Sequence, residues 1–209
     1  MEGLGWRMVP VDDRWSGMTP RDVIRVMVGF RKRWWIAGGW ALDLYLGGEP
    51  REHADIDISC FRSDVPALRT HLDGWEFYTS VDGALSYLDI ETPVPDDVHT
   101  LWSRERGAHA WGIELMIEDT DGPWWTFRRN PEVRRLKDAI LWQDARGLFV
   151  LRPDVQLLYK AADVRLRDQT DFERVLPALD DESRAWLTES LRKVHRDHPW
   201  LHDLEEPTS

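Results

Sequence analysis

Trp34-Trp35-Ile36-Ala37-Gly38-Gly39-Trp40-Ala41-Leu42-Asp43-Leu44-Tyr45-Leu46-Gly47, followed a little later by Ala54-Asp55-Ile56-Asp57-Ile58-Ser59-Cys60-Phe61, contains two complementary halves of one chemical arrangement. The first half reads as a short buried strand over 34–37 that runs through Gly38-Gly39 directly into a helix, closed by Gly47-Gly48. Glycine lets a backbone approach a ligand closely, and a helix N-terminus presents N–H groups with no intrahelical partner, so this half suits a phosphate. The second half alternates acid with apolar residues, which is the period of a strand. Asp55 and Asp57 then share one face about 7 Å apart along the strand, while Ile56 and Ile58 point into a core. Carboxylates placed in this way repel one another unless a cation neutralises them. Hard oxygen donors suit Mg²⁺, which keeps several waters and shares its shell with substrate phosphates.

Such a site is completed by a further acid on a neighbouring strand. Glu114, in Trp111-Gly112-Ile113-Glu114-Leu115-Met116-Ile117, is the first choice, because an ionised acid in an otherwise apolar strand needs a partner. Glu118 is the fallback, nearer the strand end and more easily solvated; Asp89 and Glu91 lie outside the pattern. Asp-x-Asp strands also occur in haloacid-dehalogenase phosphatases and metal-dependent glycosyltransferases, and as surface acids on edge strands. The strand–Gly-Gly–helix unit that precedes this one argues against the surface-acid and phosphatase readings.

Working outward, Thr19-Pro20 opens a capped helix that continues towards Phe30. Ser63 to Leu72 reads as helical, Trp75 to Val81 and Leu85 to Ile90 as strands, and Pro93 to Asp97 as a loop. Trp111 to Asp119 is a further strand, joined through Asp121-Gly122-Pro123 to Trp124–Phe127 in a hairpin. From Asp154 onward the periodicity is helical, with segments marked by Leu157-Leu158-Tyr159, by Phe172, Val175 and Leu176, and by Trp186, Leu187, Leu191 and Val194; Pro199 is expected to end the last, and 205–209 to fray. The expected fold class is α+β: a short mixed sheet with flanking helices over residues 1–150, then a helical part over 151–209.

The chain has 209 residues, a formal net charge of −11 and a single cysteine, Cys60. One cysteine excludes an intramolecular disulfide and a cysteine-based zinc cage, and fits a reducing cytoplasm. No apolar run reaches the ~18 residues of a membrane span, and Met1–Arg7 lack the form of a secretory signal. Strong net acidity disfavours general binding of nucleic acid and favours a cationic small molecule. The basic run Arg128-Arg129, Arg134-Arg135 and Lys137 is read as a solvated face or a local phosphate contact. His195, His198 and His202 have superficially metal-like spacing, but Pro199 interrupts it, so a metal site there is not expected. The thirteen tryptophans are read mainly as core.

Gly38-Gly39-Trp40-Ala41-Leu42-Asp43, then Gly47, Arg51, His53 and Asp55-Ile56-Asp57-Ile58, closely resemble the head of the aminoglycoside and lincosamide nucleotidyltransferases of the polymerase-beta-like superfamily. The resemblance implies two Mg²⁺ ions and transfer of a nucleoside monophosphate, usually AMP from ATP, to a hydroxyl of a small acceptor, as monomer or homodimer. It implies that Asp55, Asp57 and Glu114 hold the metals and that Glu114 also acts as base. Gly38 and Gly39, Arg51 and, on the helix Gln156–Ala162, Lys160 would contact the nucleotide. Arg167-Asp168 and Asp171-Phe172 resemble the helical half of the same group. Two other readings are a toxin-like nucleotidyltransferase acting on tRNA and a nucleotide-binding protein without turnover.

Overall fold

A computed structural model describes residues 8–9, 14–47, 51–81 and 84–206. Gly48, the N-terminal heptapeptide and the final residues 207–209, on which three of the sequence expectations fall, lie outside them. In chain order the elements are β1 (Met8–Val9), α1 (Pro20–Val26), β2 (Trp34–Ile36), α2 (Gly38–Leu46), β3 (Asp57–Phe61), α3 (Val65–His71), β4 (Trp75–Val81) and β5 (Ala84–Leu88). There follow β6 (Thr100–Glu105), β7 (Ile113–Glu118), β8 (Thr120–Asp121), β9 (Trp124–Thr126), β10 (Arg134–Leu136), β11 (Leu141–Gln143) and β12 (Phe149–Leu151). The chain then turns helical through α4 (Pro153–Lys160), α5 (Leu166–Val175), α6 (Asp181–Val194) and α7 (Trp200–Glu205).

Local chemistry accounts for several boundaries. Thr19 and Asp22 form a capping box at α1, with Asp22 Oδ2 accepting from the Thr19 N–H at 3.0 Å and from its hydroxyl at 2.7 Å. Gly47 closes α2 in the left-handed region at φ 66°, donating its N–H to the Asp43 carbonyl. Asp180 caps α6 by accepting from the Ser183 N–H at 2.7 Å. Pro199 does not end the last helix. The α6 helix stops at Val194, and Pro199 stands at the start of one more, α7, where a residue without an N–H sacrifices no helical hydrogen bond.

The described chain divides into two compact units, at boundaries other than residue 150. The first comprises residues 1–34 and 52–118. Its sheet runs in the order β1-β5-β4-β6-β7-β3, with β3 parallel to β7 and the remaining pairings antiparallel. Ile58 stands opposite Leu115 and Cys60 opposite Ile117, and all four are at most 1% exposed, so this face of β3 and β7 is core. Strand β6 is absent from the sequence reading because Ser103 occupies a fully buried position while Trp102 takes the other face, which inverts the usual alternation. The Ser103 hydroxyl tolerates burial by donating to the Ile113 carbonyl at 2.9 Å. Gly112 also donates its N–H to the Ser103 carbonyl, so Gly112 and Ile113 together oppose one residue, a β-bulge.

The second unit comprises residues 35–51 and 119–209. Ile36 pairs in parallel with Val150 of β12, and β12 pairs antiparallel with β11. A separate three-stranded sheet runs β10-β9-β8. The core of this unit collects Trp35, Ile36, Leu42, Trp125, Phe127, Val150, Leu157, Leu158, Phe172, Leu187, Leu191 and Trp200, each at most 1% exposed. Phe172 of α5 and Trp200 of α7 stack face to face at 4.2 Å between centroids.

Candidate active site

In the first unit the structure brings two of the expected acids together. Asp57, the first residue of β3, is the register partner of Glu114 on β7, and the parallel ladder places their side chains on the same face. Both are partly exposed, whereas their neighbours Ile56, Ile58, Ile113 and Leu115 are buried. The alternation expected from the sequence is therefore present, but the strand starts later than expected. Asp55 lies in the irregular segment 51–56, which leads into β3. That segment is tied at its far end by the Glu114 N–H, which donates to the Ile56 carbonyl at 3.0 Å. Among the described residues no group of three or more His, Cys, Asp and Glu side chains is gathered as a metal cage, and the three histidines of the C-terminal part form none.

Glu118 occupies a different place from the one expected of it. It stands opposite Phe61 and is 4% exposed, so it is more buried than Glu114. Four residues along β7 put it about 13 Å from Glu114 at the usual strand rise. Asp89 lies past the end of β5, where its carboxylate accepts from the Glu91 N–H at 3.0 Å. On the other side of Glu114, its register partner is Trp102 of β6, and the partner of Trp102 is Tyr78 of β4. The acid pair is thus continued across the sheet by an aromatic cluster of Trp102, Tyr78, Trp111 and Trp15.

The second unit contains the remaining expected residues. Gly38 begins α2 at φ 64° and donates its N–H to Gln156 Oε1 at 2.7 Å. The first donor of the helix is thus taken by a side chain of α4. Ala37, which precedes Gly38, gives no side-chain cap to the helix. Gln156 and Lys160 are four residues apart and share one face of α4. Lys160 is not a solvent-facing lysine. Its side chain is 8% exposed, and its ammonium contacts Asp168 at 2.5 Å and Asp171 at 3.0 Å. Arg51 engages the same Asp171, with Nε to Oδ1 at 3.0 Å and Nη2 to Oδ2 at 3.3 Å, a two-pronged geometry. The Arg51 N–H also donates to Asp43 Oδ2 at 3.0 Å, and Asp43 Oδ1 meets Arg174 at 2.8 Å.

Asp168 is nearly buried, which by itself raises a carboxyl pKa. Hydrogen bonds from Arg165 and Lys160, with the Lys160 charge, outweigh burial and hold it at about 2. Sequence reading missed the working part played by Asp43, Gln156, Asp171 and Arg174. Asp43 and Asp171 lie within the family-like strings, so their positions were visible although their bonds were not.

The basic run of 128–137 is not a uniform solvated face. Arg135 is buried, contacts Asp154 at 2.8 Å and lies 3.9 Å from the centre of the Trp186 ring. Arg128 and Arg129 lie over Tyr159, and Arg134 over Trp124.

A family model described as aminoglycoside-2''-adenylyltransferase matches residues 21–109. No curated protein matches the chain by sequence. Among solved structures, the lincosamide antibiotic adenylyltransferase LnuA bound to lincomycin superposes with a TM-score of 0.50 at 16% identity, over 74% of this chain and 92% of that one. The antibiotic-resistance enzyme ANT(2'')-Ia, in complex with adenylyl-2''-tobramycin, superposes with a TM-score of 0.55 at 12% identity, over 83% of this chain and 95% of that one. A solution structure of ANT(2'')-Ia gives 0.53 at 14% identity, over 82% and 88%. Over residues 21–109 the chain is thus similar in sequence to the aminoglycoside-2''-adenylyltransferase family, and over most of its length it shares the fold of these antibiotic adenylyltransferases.

Proposed function

We propose that the protein transfers AMP from ATP, with Mg²⁺, to a hydroxyl of an aminoglycoside-like or lincosamide-like antibiotic. The observation that carries this reading is the pairing of Asp57 with Glu114 on parallel strands in a nucleotidyltransferase fold. Two neighbouring carboxylates with hard oxygen donors fit Mg²⁺, which is ordinarily bound through one or two carboxylates plus substrate phosphates. Asp57 and Glu114 would hold it, with Asp55 reached from the segment that enters β3. When bound, the ions neutralise the charge on the phosphates and on the leaving oxygens. The acceptor oxygen forms a bond to the α-phosphorus, the bond from that phosphorus to the bridging oxygen breaks, and pyrophosphate leaves with the electron pair. The hydroxyl proton passes to the Glu114 carboxylate. Little covalent chemistry is asked of the protein beyond that proton and the placement of the two reactants.

Net acidity suits the polycationic class of acceptor. The relatives of known structure are bound to lincomycin and to an adenylylated tobramycin, which favours the same classes. A tRNA substrate is disfavoured by the net acidity of the chain, and Arg135 of the basic run over 128–137 is occupied within the protein. The test is incubation with Mg-ATP and a panel of aminoglycosides and lincosamides, with pyrophosphate release and product mass as readouts. A mass increase of one AMP on an acceptor is expected, and its absence across the panel with each of the four nucleoside triphosphates would overturn the reading.

A further inference from the structure

We infer that Trp15 and Trp102 form an aromatic wall beside the acid pair, which receives a cationic amino-sugar ring of the acceptor. Every residue concerned belongs to the first unit. Trp102 is the register partner of Glu114, so the two side chains leave the same face of the sheet with their Cβ atoms about 5 Å apart. Trp15 comes from the segment before α1. Its backbone bridges in parallel to Trp111, with the Ser16 N–H donating to the Trp111 carbonyl at 2.8 Å and the Trp111 N–H donating to the Arg14 carbonyl at 2.9 Å. The Trp15 ring meets Trp102 edge to face, at 5.0 Å between centroids. Behind them Trp111 and Tyr78 are 1% and 4% exposed and form the core of the cluster, whereas Trp15 and Trp102 stay partly exposed. Large rings are thus open to solvent at the border of the acids. Trp15 and Trp111 both lie outside residues 21–109, the part matched by the family model.

The occupant follows from what borders the wall. Asp57 stands on one side of Glu114 and Trp102 on the other. On the transferase reading, on which this inference rests, metal and phosphates belong to the Asp57 side and the acceptor hydroxyl must reach Glu114. A ring bearing that hydroxyl then lies over Trp102. Aromatic faces attract an ammonium through their quadrupole, and a neighbouring carboxylate adds to the attraction. Arg104, two residues along the same face of β6, has little to offer a phosphate. It is held over the Tyr78 and Trp111 rings at 5.1 and 4.8 Å, and it donates to Glu76 at 3.2 Å and to the Tyr78 hydroxyl at 2.9 Å. The net charge of −11 draws the same cationic class of ligand.

The test uses the full chain with Trp102→Leu, Trp102→Phe and Trp15→Leu, and with Tyr87→Leu as control. Tyr87 is 43% exposed in the same cross-strand row but three strands from Glu114, about 14 Å at the usual spacing. Calorimetry gives Kd for tobramycin with no nucleotide present, a melting curve reports the fold, and steady-state kinetics gives kcat and both KM values. In Trp102→Leu and Trp15→Leu, Kd and KM for tobramycin should rise about 5- to 30-fold, the range of a cation–π contact, with kcat and KM for ATP within about twofold. Trp102→Phe, which keeps a ring, and Tyr87→Leu should bind tobramycin within about threefold of the wild type. Unchanged affinity in Trp102→Leu and Trp15→Leu overturns the inference, and so does an equal loss in Trp102→Phe or a wild-type chain that binds no tobramycin. A raised KM for ATP at an unchanged Kd for tobramycin also overturns it, by placing the nucleotide base on the wall. Tobramycin that binds through Trp102 but is never adenylylated would instead end the function proposed above and leave the wall as a site for the amino sugar.

Discussion

Asp57 and Glu114 face each other across a parallel ladder, and the chemistry that follows depends on which of two similar acids is meant. Glu114 is partly exposed beside Asp57, while Glu118 is buried four residues further along β7. Glu114→Gln should lower kcat by roughly 10²- to 10⁴-fold, the range of a lost general base, and leave the thermal midpoint nearly unchanged. Glu118→Gln should do the reverse, keeping turnover and shifting the midpoint, because a buried acid has partners that its amide satisfies less well. Steady-state kinetics beside a melting curve separates the two; equal loss of kcat in both variants would move the acid elsewhere. At the same scale, Gly47 has φ 66° where it closes α2. Gly47→Ala should cost about 1 kcal/mol in urea unfolding, since an added Cβ opposes the left-handed region even with open space around it.

At the scale of elements, the sequence revealed the strand–Gly-Gly–helix unit because its signals are local. The apolar run, the paired glycines and the αL closure at Gly47 all act within one or two turns. Strand β3 was legible from alternation, although Asp55 proved to precede it. Strand β6 was not legible, because Ser103 faces inward and its burial depends on the carbonyl of Ile113, ten residues away. Strands β11 and β12, three residues each, are too short for any periodicity to register. The same limit applied to the basic run, where a charge count cannot show that Arg135 is buried against Asp154 and Trp186. Burial holds the Asp154 carboxyl above the usual carboxylate range in spite of Arg135 and Arg152. Arg135→Ala should therefore destabilise the fold by about 3 kcal/mol at neutral pH, because it removes a partner from a buried charge. The deficit should shrink on acidification as Asp154 takes up a proton; a deficit independent of pH would mean that lost packing on Trp186 accounts for it all.

For the molecule as a whole, the acids singled out in the sequence divide into two kinds. Asp57 and Glu114 share the face of the first unit proposed to meet metal, with Asp55 in the segment that leads into it, whereas Asp43, Asp168 and Asp171 hold the second unit together. Spacing alone could not separate them, because both kinds occur in the family-like strings and differ only in what the fold brings to them. The structural kind has a signature in the acid limb of the stability curve. The folded pKa of Asp168, at about 2, lies below its ordinary value of 3.8, so protonation favours the unfolded chain. Its contribution is complete above pH 4–5 and is lost as pH falls through 2, and by linkage it amounts to about 2 kcal/mol. Asp168→Asn should lower stability at pH 7 by at least that amount and flatten the fall in stability between about pH 5 and 2. Asp22 is likewise held low by its hydrogen bonds to Thr19, but it is exposed, so its share of the acid limb should be slight. Urea unfolding of wild type and Asp168→Asn across that interval reads the difference directly. Parallel curves would show that Lys160 and Arg165 do not depress the carboxyl. The Asp168–Lys160–Asp171 chain would then be an ion pair with no net effect on folding.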